Sequence, residues 1–362
     1  MGFALTLFVI SQNIYALEQN SKNKIVDSIV KTSRPLFEKE LIFSEYGSWA
    51  ITEEYQVSSI RLREAWEKLG SNTEKTIRKS VLVAVIDTGI DYNHSFIKNN
   101  IEIPRGLASS GNYGMDFSKG TKDKNKPEDM HGHGTHIAGV IKSVIPDVKI
   151  LPLKYYNPTA SDSDNLKSTV LAIEFAIEQN VDIINYSSGG PGASLEELRA
   201  LKKAEEKGIL IVAAAGNRSS NIDDIKNAYY PASYGLSNII TVINHDSDGR
   251  LGPSSNFGKT KADISAPGTR IRSTLPGGRA GYLTGTSQAT AFVTGVAALL
   301  KSQYSTLDYK QLKKLIIDSA RSSGELKEKC VAGGMLDASR AVDEAQRLLE
   351  MKKLERQIAQ SF

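Results

Sequence analysis

The sequence predicts an α/β domain of three layers, a doubly wound and mostly parallel sheet with helices on both faces. Apolar runs of strand length recur at residues 81–86, 149–153, 181–186, 209–214 and 238–243. Between them, residues 135–144, 165–179 and 194–207 carry apolar side chains at three-to-four spacing, the period of an amphipathic helix. Strands that are apolar throughout must be buried on both faces, and a parallel sheet with helical crossovers provides that burial.

Taken in chain order, residues 1–17 open on a short apolar run, "MGFALTLFVISQNIYA", that ends in small and polar residues and reads as a signal peptide, although no Lys or Arg precedes it. The run is too short to cross a bilayer as a helix, so stable membrane insertion is not expected. A secreted or periplasmic location follows, with a cytoplasmic one as the alternative. Residues 18–50 are Lys-rich and weakly periodic, an N-terminal extension or short pro-segment. The alternating strands and helices fall in a domain spanning 51–345, which opens on an entry arm and a short helix. In its last third, residues 287–302 form a long apolar helix, 308–320 a second helix, and a charged amphipathic one starts at Asp337. Residues 346–362 are a charged helical tail.

Composition excludes several classes of function. Of 362 residues, 40% are hydrophobic and 24% charged, as in a soluble globular protein with a sizeable core. A net charge of +4, from 45 basic and 41 acidic residues, gives no concentrated field, so no nucleic-acid partner is expected. The single cysteine, Cys330, forbids an intramolecular disulfide and every multi-cysteine zinc site, and reads as a buried free thiol.

Open parallel sheets bind ligands at the carboxyl ends of their strands, which is where chemistry is sought. Asp87 ends the first strand in "VLVAVIDTGID"; a carboxylate buried there needs a cation or a hydrogen-bonding partner. The same "DTG" occurs in aspartic proteases, which need a second such Asp in a β-rich chain. In "HGHGTHIAG" three of the five histidines fall within six residues, and His133 enters the helix. His133 and His136, three apart, share a face as metal ligands would, but no Glu stands at helical spacing to act as base. Ser287, after the Gly285-Thr286 turn, opens a helix whose N-terminus offers free N–H groups and a positive dipole end; an ordinary N-cap serine is the alternative. Asn217, ending "ILIVAAAGN", either donates to an oxygen that becomes negative during acyl transfer or simply closes a turn.

Asp, His and Ser arrive in the chain order of subtilisin, distinct from those of chymotrypsin and the α/β-hydrolases. With "VAVIDTGID", "GHGTHIAG", "DIINYSSGG", "AAAGN", "DISAPG" and "GTSQA", the chain from about Gln56 to Ala345 resembles the subtilisin-like serine protease family. The resemblance implies the subtilisin-like fold and a serine endopeptidase acting on extended polypeptide, with no required cofactor, as a monomer. It makes Ser287 the nucleophile, His133 the base, Asp87 the residue that orients the imidazole, and Asn217 with the Ser287 N–H the oxyanion donors. It also makes Ser187, Ser188 and Gly189, with Ala214, Ala215 and Gly216, two extended walls of the primary specificity pocket. Their backbone is expected to pair with substrate, and their small side chains leave room for a large apolar residue.

Four departures stand out against that resemblance. Gln288, Thr290 and Ala291 replace the Met and the Ser-Pro that the family has after its nucleophile. The usual calcium loop after the His helix is missing, since "VIPDVK" passes straight into the next strand, and "HSF" at 94–96 replaces a more acidic stretch, so no metal site is assigned. Calcium binding elsewhere would fall to Asp162 and Asp164 or to Asp223 and Asp224. The region before the domain is also shorter than a folded inhibitory pro-domain. The competing readings are a catalytically silent protein of the same fold that binds peptides, and a histidine-rich metallohydrolase.

Overall fold

A computed structural model describes residues 45–71, 79–107 and 111–360, so the signal-peptide reading and most of the 18–50 extension lie outside the described residues. From Tyr46 onward the chain forms one compact unit. The strands are β1 (Leu82–Asp87), β2 (Met115–Asp116), β3 (Lys149–Lys154), β4 (Ile183–Tyr186), β5 (Leu210–Ala214), β6 (Ile239–His245), β7 (Ile264–Pro267), β8 (Ile271–Leu275), β9 (Arg279–Leu283), β10 (Arg321–Ser322) and β11 (Gly334–Met335). The α-helices are α1 (Leu62–Ser71), α2 (His133–Val144), α3 (Asp162–Glu178), α4 (Leu195–Glu206), α5 (Thr286–Gln303), α6 (Tyr309–Asp318) and α7 (Ala338–Gln360).

Among the described residues nine strands make one sheet in the order β10-β11-β7-β6-β5-β4-β1-β3-β2, parallel except for the β10–β11 pair, while β8 and β9 form a separate hairpin. Period-two alternation sends the strand side chains to opposite faces. On one face Ala84, Ile86, Leu153, Ile184, Ile211 and Ala213 meet Ala172, Ile173 and Ala176 of α3 and Ala200, Leu201 and Ala204 of α4. The other face is covered by α5, which lies across β4 to β7, with α2 packed beside it. The predicted three-layer, doubly wound arrangement is therefore the one the chain adopts.

α5 is buried nearly all round, as its uniformly small and apolar sequence requires, and Phe292 and Val296 sit fully inside. Two of its polar residues are bonded: Thr294 Oγ1 donates to Asn185 Oδ1 at 2.9 Å across the helix–sheet boundary, and Thr290 Oγ1 donates to the Thr286 carbonyl at 2.8 Å. Ala291 leaves this helix regular where a proline would remove a backbone donor. Cys330 is buried and free, and burial pushes its thiol pKa up. Charged residues 346–360 are the second half of α7, continuous with the buried first turns at Ala338, Ala341 and Val342. The short pair β10–β11, the strand β7 and the β8–β9 hairpin were not evident as strands in the sequence pattern.

Candidate active site

The site is assembled at the carboxyl ends of β1, β4 and β5. Asp87 is the last residue of β1 and is 2% exposed. Its Oδ1 accepts from His133 Nδ1 at 2.7 Å and from the Thr88 N–H at 2.8 Å, while Oδ2 is buried without a partner among the described residues. A carboxylate can only accept, so the imidazole hydrogen is held on Nδ1 and Nε2 is left as an acceptor. Gly134 makes this approach possible, because a Cβ there would lie 2.1 Å from the Gly89 carbonyl oxygen and 3.0 Å from Asp87 Cβ.

Burial alone would depress the His133 pKa. The Asp87 charge and hydrogen bond, with the charge of Asp129 behind them, outweigh that and hold it above the ordinary histidine value. Asp129 was not singled out from the sequence. It is buried in the loop before α2, where Oδ1 accepts from Thr88 Oγ1 at 2.8 Å and from the N–H groups of His131 (3.0 Å) and Gly132 (2.7 Å). Its Oδ2 accepts from the Thr135 N–H at 2.9 Å and from Thr135 Oγ1 at 2.6 Å. One carboxylate thus gathers the orphan donors of a helix start that carries the imidazole.

The other two histidines of the motif go elsewhere. His131 is exposed, its ring 6.3 Å from that of His133 and 5.9 Å from that of Tyr156. His136 is fully buried, and its Nε2 donates to the carbonyls of Ile271 (3.0 Å) and Gly281 (3.3 Å), which pins α2 to the β8–β9 hairpin. His133 and His136 therefore serve different partners rather than converging on one point. Among the described residues no three His, Cys, Asp or Glu side chains are grouped as metal ligands. At least one member of each acidic pair has another partner: Asp164 bonds Lys119 Nζ at 2.8 Å, and Asp223 accepts from Thr260 Oγ1 at 2.8 Å and from the Lys261 N–H at 2.9 Å.

Ser287 lies in the first turn of α5 and is 7% exposed. Its hydroxyl donates to the Ser187 carbonyl at 2.8 Å, and no hydrogen bond joins it to His133. The expected three-membered relay is thus closed on the Asp87–His133 side and open on the serine side. β4 pairs with β1 through Ile86 and Tyr186, so Ser187 follows one strand over from Asp87, about 4.8 Å across the sheet. A turn of χ1 from one staggered well to another swings the hydroxyl off Ser187, and catalytic bonds are often unformed before substrate binds.

Asn217 follows β5 and is exposed. Its Oδ1 accepts from the Thr286 N–H at 2.9 Å and from Thr286 Oγ1 at 3.2 Å, which fixes the amide orientation and frees Nδ2 to donate beside Ser287. Gln288, in the place of the family's Met, is buried, and its Nε2 has no partner among the described residues.

The two walls differ from expectation. The backbone of the second wall is already engaged: the Ala215 N–H donates to Val242 O at 3.0 Å, Ala215 O accepts from Asn256 Nδ2 at 2.7 Å, and the Gly216 N–H donates to Thr286 Oγ1 at 3.2 Å. Gly216 has φ of +96° and no room for a Cβ, which would lie 2.6 Å from Asn256 Nδ2. Ala214, Ala215 and Gly216 thus offer a surface rather than a hydrogen-bonding edge. On the first wall the Ser187 carbonyl accepts from the Ser287 hydroxyl, and the Gly189 carbonyl accepts from Tyr229 Oη at 2.9 Å.

Residues 78–338 match the model of the subtilase family of peptidases. The chain is 36% identical over 233 residues to the major intracellular serine protease of Bacillus subtilis (strain 168), covering 62% of this chain and 69% of that one. It is 32% identical over 255 residues to subtilisin DY of Bacillus licheniformis, covering 68% of this chain and 85% of that one. Among solved structures, a cold adapted subtilisin-like serine proteinase matches with a TM-score of 0.58 and 27% identity, over 71% of this chain and 86% of that one.

Proposed function

The chain belongs to the subtilase family and is a subtilisin-like serine endopeptidase, and on that premise we propose that Ser287, His133, Asp87 and Asn217 carry its chemistry. The Ser287 hydroxyl attacks the scissile carbonyl of an extended polypeptide as its proton passes to His133 Nε2. The carbonyl oxygen becomes an oxyanion and takes hydrogen bonds from Asn217 Nδ2 and from the Ser287 N–H, which lies in the helical turn whose donors no helix carbonyl reaches. His133 returns the proton to the leaving amine, and the acyl-enzyme is hydrolysed when the same imidazole deprotonates a water. Asp87 holds the hydrogen of the neutral imidazole on Nδ1, so that Nε2 is the acceptor, and stabilises the imidazolium during each transfer. Nucleophile, base and oxyanion donors all come from the chain, so this scheme uses no cofactor.

The observation that carries this reading is the 2.7 Å bond between Asp87 and His133, one strand from the carbonyl that holds the Ser287 hydroxyl. A phosphonyl fluoride tests it. Covalent labelling confined to Ser287, with casein hydrolysis lost in step and unaffected by chelator, is expected. Absence of the label would return the silent peptide-binding reading, and hydrolysis abolished by chelator without labelling would return the metallohydrolase.

A further inference from the structure

We propose that the ring of Tyr229 fills the base of the cleft between the two walls, so that this enzyme cuts after small residues, glycine, alanine or serine, rather than after large apolar ones. The proposal rests on the reading of Ser287 as nucleophile and names the substrate class for that site.

Tyr229 belongs to neither wall in sequence, yet opposite edges of its ring face one glycine of each. A Cβ built on Gly189 would lie 2.7 Å from Tyr229 Cε1, and one built on Gly216 would lie 3.0 Å from both Cδ2 and Cε2. A six-membered ring touching Gly189 with one edge and Gly216 with the other spans the gap that the small wall residues leave. The phenol then closes the arrangement, its hydroxyl donating to the Gly189 carbonyl at 2.9 Å.

The ring is also held there. The Tyr229 N–H donates to Ser233 Oγ at 3.1 Å, and Tyr230 exchanges two backbone hydrogen bonds with Gly190, of 2.9 and 2.7 Å, tying this segment to the first wall. The body of the ring packs against an apolar cluster that includes Ala215, Ile222 and Ala232, and burial pushes the phenol pKa up. Admitting a phenylalanine or leucine side chain would require breaking the bond to Gly189 and expelling the ring from that cluster, whereas a methyl or hydroxymethyl group needs neither. A single extra methylene in a filled pocket is discriminated by about 10- to 200-fold.

The test maps cleavage in denatured casein by mass spectrometry and measures kcat/KM on peptide p-nitroanilides that differ only in alanine or phenylalanine before the scissile bond. Wild type is expected to cut mainly after Gly, Ala and Ser and to favour alanine by at least about tenfold. Tyr229→Gly and Tyr229→Ala are each expected to raise the phenylalanine-to-alanine ratio by about 100-fold. Tyr229→Phe, which keeps the ring and loses only the bond to Gly189, is expected to keep the preference for alanine. Phosphonyl fluoride titration counts the folded sites in each variant, so a misfolded Tyr229→Gly leaves the decision to the other variants and the wild-type map. Wild-type cuts mainly after Phe, Leu or Tyr, with normal labelling, would overturn this inference and leave the nucleophile reading standing. Neither cutting nor labelling by wild type would overturn both.

Discussion

Two helices begin at the site, and their first turns are built in opposite ways. The start of α2 is closed: Asp129 takes the N–H groups of His131, Gly132 and Thr135, and the Gly134 N–H goes to Thr88 Oγ1 at 3.0 Å. The start of α5 has no side-chain cap of its own. Asn217, 69 residues away, covers the Thr286 N–H from outside and leaves the next donor, that of Ser287, to a ligand. Under the proposed roles, His133 as base gains from a helix start whose Gly134 and Thr135 N–H groups are taken by Thr88 and Asp129, and Ser287 as nucleophile beside an oxyanion gains from a donor left unfilled. Beside these two helix starts the Asp87–His133 bond is formed and the Ser287 hydroxyl rests on Ser187.

The most severe way to break the comparison is to remove what each helix start presents. Ser287→Ala and His133→Ala should each lower kcat by about 10⁴- to 10⁶-fold, and the double variant should lose little more than either, because the two groups act in one step. Additive losses would mean that the helix starts serve separate functions. His131→Ala, at the exposed position beside them, should change kcat by less than about tenfold, since His131 makes no bond to the reacting groups.

Next in size is Asn217→Ala, expected to lower kcat by about 10²- to 10³-fold with KM nearly unchanged, the range already known for the oxyanion asparagine of subtilisin itself. The same variant uncovers the Thr286 N–H, so a loss in thermal stability of about 1 kcal/mol should accompany it. Asp129→Asn sharpens the comparison from the other side. It keeps the shape of the α2 cap but removes the charge, which should cost about 1–3 kcal/mol of stability. Because Asp129 helps to raise the His133 pKa, the acid limb of kcat/KM against pH should move to lower pH. An unmoved limb with lowered stability would make Asp129 a cap and nothing more.

Much of this was legible in the sequence because it is local. Asp87 after an aliphatic run, His133 and Ser287 at helix starts, and Asn217 after a strand are all fixed by the residues beside them, and β1, β3, β4, β5 and β6 emerge within two residues of where their apolar runs predict. What was not legible depends on distant segments. Asp129 sits in the charged stretch "GTKDKNKPEDM", where a carboxylate reads as solvated; only the folding of Thr88 and Thr135 onto it makes it a buried hub. Tyr229, in "KNAYYPASY", has no periodic pattern to place it, and the cleft it enters exists only once β4 and β5 are paired. The hairpin β8–β9, partly exposed and carrying Arg272, Arg279 and Tyr282, lacks the continuous apolar run that marks a buried parallel strand. The Ser287 hydroxyl direction turns on a single torsion, which no sequence pattern encodes.

The smallest effect on catalysis is expected at His136, which joins α2 to the β8–β9 hairpin. With its Nε2 hydrogen given to Ile271 and Gly281, His136 keeps Nδ1 unprotonated and buried, without a partner among the described residues. Burial therefore lowers its pKa to about 4, whereas the unfolded chain protonates it near ~6.5. Between those values the unfolded state binds the extra proton, so stability falls as pH drops from ~6.5 towards 4, by at most about 3 kcal/mol. His245, also lowered to about 4 by burial, acts over the same window, while His133, shifted upward, contributes stability that is lost as pH rises. In a Ser287→Ala background, which prevents self-digestion, urea midpoints at several pH values should decline across this window. His136→Gln should start lower at neutral pH yet decline less steeply. An unchanged slope would show that α2 is not pinned through a neutral His136, leaving the helix held by the Asp129 and Thr88 contacts at its start.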